Sequence, residues 1–171
     1  SYLRCGERQL ATIQAANAVR SLARADSARR DTELLRRLVD LFIAADAPQQ
    51  LSSVSELAAT PPQTARICAY VALSAHGSYD AIAVEHLEQA QAARSEMSEE
   101  DETPVREVSL AAARLGRIDA AISELPALDA AESIAEVMVW VGYTAMQNGG
   151  LTDDQRSLIE EFYRTFRQRQ R

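Results

Sequence analysis

The sequence predicts an all-α protein built of antiparallel helical hairpins stacked against one another, and three observations carry that reading. One pattern occurs twice between Ala65 and Leu125: an apolar helix, a glycine, a tyrosine or isoleucine with an aspartate, then a second helix. The copies are ARICAYVALSAHGSYDAIAVEHL and TPVREVSLAAARLGRIDAAISEL, hinged at Gly77 and Gly116, 39 residues apart. A lone hairpin cannot bury its apolar face, so recurrence at such a spacing points to an array in which neighbours cover one another. The composition is 47% hydrophobic but only 5% aromatic and rich in alanine, which favours helix and close helix packing. No alternating Val/Ile/Thr run is long enough for a strand, and six glycines cannot supply the turns of a sandwich. The alternative reading is an irregular helical bundle.

At 171 residues the chain suits a single helical domain with its own core. Residues 1–60 read as N-terminal helices, 61–150 as the repeat-like hairpins and 151–171 as a C-terminal capping helix. The chain begins at Ser1 rather than a methionine, and the expectation is that a leader or further domains precede it. Cap and stop signals recur often enough for eight or nine helices.

The first helix is expected over Tyr2 to Ala25, with Leu3, Leu10, Ile13, Val19 and Leu22 as its apolar stripe. A turn follows from Asp26, and Asp31 serves as N-cap of a second helix whose buried face is Leu34, Leu35, Leu38, Leu41 and Phe42. Arg20, Arg24, Arg29, Arg30, Arg36 and Arg37 gather here against Asp26, Asp31, Glu33 and Asp40. That cluster reads as a solvated face laced with helix ion pairs, rather than a basic patch for an acidic partner. Pro48 closes the region. A short helix from Ser53 has Ser53 and Glu56 at capping-box spacing, with Val54, Leu57 and Ala58 in contact with the core.

Pro61 and Pro62 open the first repeat copy, because proline suits the first helical turn. Ile67, Tyr70, Val71 and Ser74 share one face there, and the return helix presents Tyr79, Ala83, Leu87 and Ala90. Ser95 to Thr103, SEMSEEDET, reads as a solvated acidic loop. It lacks the alternating ligands and central glycine of a calcium hand. Thr103 and Pro104 begin the second copy, with Val105, Val108, Ala112 and Leu115 inward. After Gly116 come Ile118, Ala121, Ile122 and Leu125 until Pro126 stops the helix. Asp129 and Glu132 have capping-box spacing before a helix holding Ile134, Val137, Met138, Val141 and Ala145, with Trp140 beside that stripe and Asn148-Gly149-Gly150 at its end. Thr152 and Gln155 cap a last helix that packs Leu158, Ile159, Phe162 and Phe166 and ends in a polar tail with four arginines.

The segment Gly116-Arg117-Ile118-Asp119-Ala120-Ala121-Ile122 resembles the hinge and second-helix start of a tetratricopeptide-type repeat, and Gly77-Ser78-Tyr79-Asp80 resembles the same hinge. The resemblance spans Ala65 to Gly149. It departs from the family in placing Ile82 between Ala81 and Ala83, in lacking a tryptophan early in either helix, and in its longer spacing. It implies a short right-handed superhelix without chemistry of its own, a scaffold holding a peptide or partner protein in its concave face.

Net charge −7 and a pI near 4.9 argue against a phosphate-backbone binder, which needs a dominant basic surface. All 18 basic residues are arginine. No run of 18 apolar residues is present, so no membrane insertion is expected. Cys5 and Cys68 belong to no CxxC pair, and Cys68 reads as a small core residue. His76 and His86 flank the Gly77 turn without forming a metal-ligand set, and His76 suits a helix C-terminus. No GxSxG, GxGxxG or GxxxxGK[ST] motif occurs. Glu99/Glu100 and Glu160/Glu161 read as solvated carboxylates. No catalytic residue, metal or cofactor is expected.

The function expected is therefore a non-enzymatic protein-interaction module. With Gly116 and Gly149 as equivalent hinges, the first-helix residues facing the partner are Arg106, Leu110 and Arg114 in one hairpin and Tyr143 and Gln147 in the next. Arginine and tyrosine are enriched among interface hot spots, so a partner with an exposed carboxylate or acidic segment fits. The competing reading places a ligand or enzymatic site between helices around Tyr70, His76, His86 and Trp140. A third is an oligomerisation or regulatory domain of a larger protein.

Overall fold

The computed structural model describes residues 2–25, 31–97 and 101–169, with side chains from Gly6 onward. The turn expected after Asp26 and the centre of the acidic stretch, residues 98–100, lie outside that description, as do the side chains of Leu3 and Cys5. The described residues are helical, with nine α-helices joined by turns and no strand among them. They are α1 (Tyr2–Arg24), α2 (Thr32–Ala44), α3 (Leu51–Ser55), α4 (Pro61–Ala75), α5 (Asp80–Ser95), α6 (Glu102–Arg114), α7 (Ile118–Ser123), α8 (Ala131–Gln147) and α9 (Asp153–Arg169). They group into two compact units, residues 1–97 and 98–171. No helix among the described residues is long and apolar enough to cross a membrane.

In the first unit the core is Leu35, Leu38, Val39 and Phe42 of α2, joined by Leu51, Val54, Leu57, Ile67 and Val71 and by Ala15 and Val19 of α1. Asp31 caps α2 as expected, its carboxylate accepting from the Glu33 N–H. Leu34 and Leu41, expected in the buried face, are exposed: the stripe is narrower and centred one position on. α1 differs more. Leu10 and Ile13 are 58% and 56% exposed while Ala15 and Val19 are buried, so its apolar residues lie on two opposite faces, and the alanine-rich one is the face that packs.

The expected capping box at Ser53 and Glu56 is not formed. Pro48 instead opens a 3-10 turn, Pro48–Gln50, that runs straight into α3 at Leu51, two residues earlier. A related cap lies further on: the N-cap Thr60 hydroxyl accepts from the Gln63 N–H at 3.4 Å, and the Gln63 amide oxygen accepts from the N–H of Ala59, one residue before the cap, at 2.9 Å. The first bond satisfies an orphan donor in the first turn of α4, where the two prolines need none, and the second ties down the chain entering it. The α4 and α5 helices form an antiparallel hairpin, with Ala65, Ala69, Ala72 and Ala75 against Ala83, Ala90 and Ala93, all buried. Such small side chains set a close interaxial distance. The phenol of Tyr70 donates to Asp40 at 2.8 Å beneath the Arg36 guanidinium, and that of Tyr79 donates to Asp46. The first pair joins α4 to α2 and the second joins the turns that follow them, in the same chain order, so the two helices run in the same sense.

The second unit repeats that logic. Glu102, Arg106 and Arg114 of α6 meet Ala130, Glu136 and Trp140 respectively, so α6 and α8 run parallel with α7 returning between them. Likewise Asp119 and Pro126 meet Gln155 and Arg169, so the α7 segment and α9 run parallel. Val105, Val108, Ala112, Ile118, Ala121, Ile122, Leu125, Ile134, Val137 and Val141 are buried, which matches the stripes read from sequence. Leu115 and Met138 are only half-buried. Asp101 caps α6, its carboxylate accepting from the Thr103 N–H at 3.0 Å, so the helix starts at Glu102, one residue before Thr103. The box expected at Asp129 and Glu132 is absent: α8 has no cap of its own, and the Glu102 carboxylate, at 3.3 Å from the Ala130 N–H, takes that place from α6. A carboxylate there is favoured by the helix dipole. At α9 the expected box does form, Gln155 and Thr152 exchanging bonds of 3.0 and 3.2 Å. Of its expected contact residues Phe162 is buried, Ile159 and Phe166 half-buried, and Leu158 exposed.

The glycine hinges hold, with φ of +83° at Gly77, +80° at Gly116 and +91° at Gly149. Their closures differ. At Gly116 the Arg117 N–H reaches back to the Ala112 carbonyl and the Gly116 N–H to Ala113, and at Gly149 the Gly150 N–H reaches Ala145; these are Schellman closures. At Gly77 the N–H is instead taken by the Asp80 carboxylate at 2.7 Å. A further Schellman closure ends α2, where Ala47 N–H bonds Phe42 O and Asp46, at φ +58°, occupies the glycine position.

Candidate functional site

On the second unit, the residues expected to face a partner fall along the α6–α8 pair. The Arg114 guanidinium lies 4.6 Å from the ring centroid of Trp140, and Trp140 meets Tyr143 edge-on at 5.6 Å. That gives one contiguous Arg–Trp–Tyr surface. Arg114 makes no ion pair among the described residues. Its charge is held by the indole face, an attraction of about 0.5–1 kcal/mol at an exposed site. Tyr143 is half exposed and Gln147 is exposed at the end of α8.

Arg106 has a different place. It pairs with Glu136 at 3.5 Å, while its Nε is buried without a hydrogen-bond partner, so it ties α6 to α8. Leu110, expected to face the partner, is buried instead, at 8% exposure. Sequence spacing did not single out two large residues beside Tyr143: Val139 and Met146, 69% and 76% exposed. Val139, Tyr143 and Met146 stand at i, i+4 and i+7, and Ala135 and Gly142 fall in the same row. The signal was available, because α8 carries apolar residues on more than one side and a helix can bury only what its neighbours cover.

Tyr70, His76 and His86, grouped in the competing reading with Trp140, are engaged by three different neighbours. Tyr70 bonds Asp40, and partial burial together with that bond raises its phenol above the ordinary value. His76 ends α4 and lies 3.4 Å from Asp80. His86 is fully buried, with Nδ1 2.9 Å from the Ile82 carbonyl and Nε2 3.0 Å from the Ser55 hydroxyl. A carbonyl can only accept, so Nδ1 donates to Ile82, while the single Ser55 hydroxyl proton lies within reach of both Nε2 and the Leu51 carbonyl at 3.1 Å. Trp140 belongs to the second unit.

Cys68 is buried, its Sγ 3.7 Å from the Gln89 amide oxygen. Burial pushes its thiol from 9.0 up to about 11, against a smaller downward pull from Ser55. The thiolate is the nucleophile, so in the folded protein at neutral pH the peptide bearing Cys68 is expected to resist iodoacetamide, as read by mass spectrometry. Because the folded value is the higher one, the unfolded chain binds fewer protons above pH 9. The associated stability is complete below pH 9 and is lost as pH rises towards 11. Fast labelling of Cys68 at pH 7 would place it at the surface.

No protein-family model, no curated protein and no solved structure matches this chain.

Proposed function

We propose that the protein is a non-enzymatic interaction scaffold whose α6–α8 face receives a partner protein or peptide, the α6–α7 and α8–α9 hairpins being stacked in the manner of a tetratricopeptide-type repeat with a right-handed superhelical course. The observation that carries the reading is the union of Arg114, on Trp140 and without an ion pair among the described residues, with the exposed row Val139, Tyr143 and Met146. Three large apolar side chains on successive turns are costly to leave wet, since fully burying each contributes about 1.5–3 kcal/mol. Arg, Trp and Tyr are the residues most enriched at binding hot spots. The recurrent Schellman hinges at Gly116 and Gly149, 33 residues apart, and the parallel run of α6 and α8 support the repeat architecture.

The partner fitting this face offers an apolar ridge for the α8 row and a carboxylate for Arg114. A photo-reactive residue at position 146 should capture that partner, which is then purified and titrated against variants. Arg114→Ala and Tyr143→Ala are each expected to weaken binding about tenfold or more, with Arg156→Ala as an unaffected control. Unchanged affinity in both variants, with helical content intact, removes the assignment.

A further inference from the structure

The α7 helix is only six residues long, because Pro126 diverts the chain into a 3-10 turn, Leu125–Ala127, whereas its neighbour α9 runs for 17. The second half of α9 therefore overhangs the end of α7, and a pocket of about 340 Å³ opens between them. Ile122, Pro126, Leu158, Phe162 and Phe166 make its walls, with Phe162 and Phe166 stacked at 5.8 Å. The volume is within the range of small-molecule sites, which are typically apolar with a few placed polar groups.

The polar groups at its edge are not equivalent. Ser123 and Thr165 also border the pocket, but each hydroxyl donates to a carbonyl of its own helix, Ala120 at 2.9 Å and Glu161 at 3.1 Å. Hydrogen-bond donors remain on Arg169, whose guanidinium is anchored by one bond of 3.4 Å to the Pro126 carbonyl and has no carboxylate partner among the described residues. Glu161 lines the same pocket two helical turns earlier, about 12 Å along the axis. One end of the pocket thus offers donors with positive charge, the other a carboxylate, with an aromatic and aliphatic wall between.

We infer that this pocket binds an amphiphilic monocarboxylate, an unbranched or aryl-bearing acid whose head pairs with Arg169 and whose apolar body lies along Ile122, Phe162 and Phe166. The guanidinium fork suits a carboxylate. Glu161 at the far end rejects a second one. This inference is independent of the α6–α8 face, which shares none of these residues.

Decanoate, below its micelle concentration, is the probe, titrated into the full chain by calorimetry and by amide NMR. One saturable site is expected, with shifts centred on Ile122, Phe162 and Phe166. Decan-1-ol and decyltrimethylammonium should bind about tenfold more weakly or not at all. Decanedioate should also bind about tenfold more weakly, and Glu161→Gln should restore it. Arg169→Ala should weaken decanoate about tenfold while leaving decan-1-ol unchanged. Leu158→Trp, a change at an exposed wall position, should block every probe without loss of helix signal. Absence of saturable binding overturns the inference, as does equal affinity for acid, alcohol and ammonium, or decanoate binding indifferent to Arg169. A concentration-dependent dimer dispersed by Leu158→Trp would show that a second copy fills the pocket, and would equally overturn it.

Discussion

Phe42→Ala is expected to lower the stability of the first unit by about 3–5 kcal/mol, the largest effect of any single truncation considered. Phe42 has no exposed surface and is the bulkiest fully buried side chain. It stands among Leu35, Leu38, Val39, Leu51, Val54, Ile67 and Val71, drawn from α2 itself and two further helices, so its loss empties space that no one helix can refill. Its carbonyl also receives the Ala47 N–H in the closure that ends α2, which restrains the backbone from collapsing into the cavity. Since whole domains are stable by only about 5–15 kcal/mol, the variant should unfold at much lower urea, and hydrogen exchange should report the loss in α2 and α4 first. A change under about 1 kcal/mol would mean that the Phe42 ring is not in the core.

His86→Ala is expected to cost about 3 kcal/mol, through two effects of similar size. Removing a fully buried ring leaves a cavity, and the Ser55 hydroxyl loses the Nε2 acceptor that joins α3 to α5 across 31 residues of sequence. Ser55→Ala removes that hydroxyl and leaves the buried Nε2 without it, so alone it should cost about 1–3 kcal/mol. In a double-mutant cycle the two changes should be non-additive by about 1 kcal/mol, measured by urea denaturation of all four proteins. Full additivity would show that the histidine and serine are merely neighbours.

These two side chains mark where sequence reading succeeds and where it stops. Phe42 was legible because local periodicity and the Asp31 cap defined α2 without reference to the rest of the chain. The same is true of Pro61, of Thr152 with Gln155, and of the Ile118 to Leu125 stripe, whose signals lie within one or two turns. The bond between Ser55 and His86 was not legible, because nothing local encodes which helix will stand opposite. The cap that Glu102 lends to α8 was missed for that reason, and Asp129 was assigned in its place. In α1 the error was one of weight. Leu10 and Ile13 are larger than Ala15, yet the face that packs is the one carrying Ala15 and Ala18 together with Val19 and Leu22. At the candidate site, offsets from the glycines located Arg114 and Tyr143, while the stacking of Arg114 on Trp140 depends on the register of two parallel helices 26 residues apart, which spacing within either helix cannot supply.

The Schellman closure at Asp46 bears on how such a chain can drift. Its hydrogen-bonding is that of the Gly116 turn, yet the left-handed position is held by aspartate, a residue whose short polar side chain tolerates that conformation better than most. Glycine is therefore sufficient for the turn without being obligatory, and a lineage can exchange it for aspartate or asparagine while the path of the backbone is conserved. Aligning descendants of this chain by their glycines would undercount the turns, whereas aligning them by helix ends, with a residue of positive φ one position past the last helical cap, would recover all four, at Asp46, Gly77, Gly116 and Gly149.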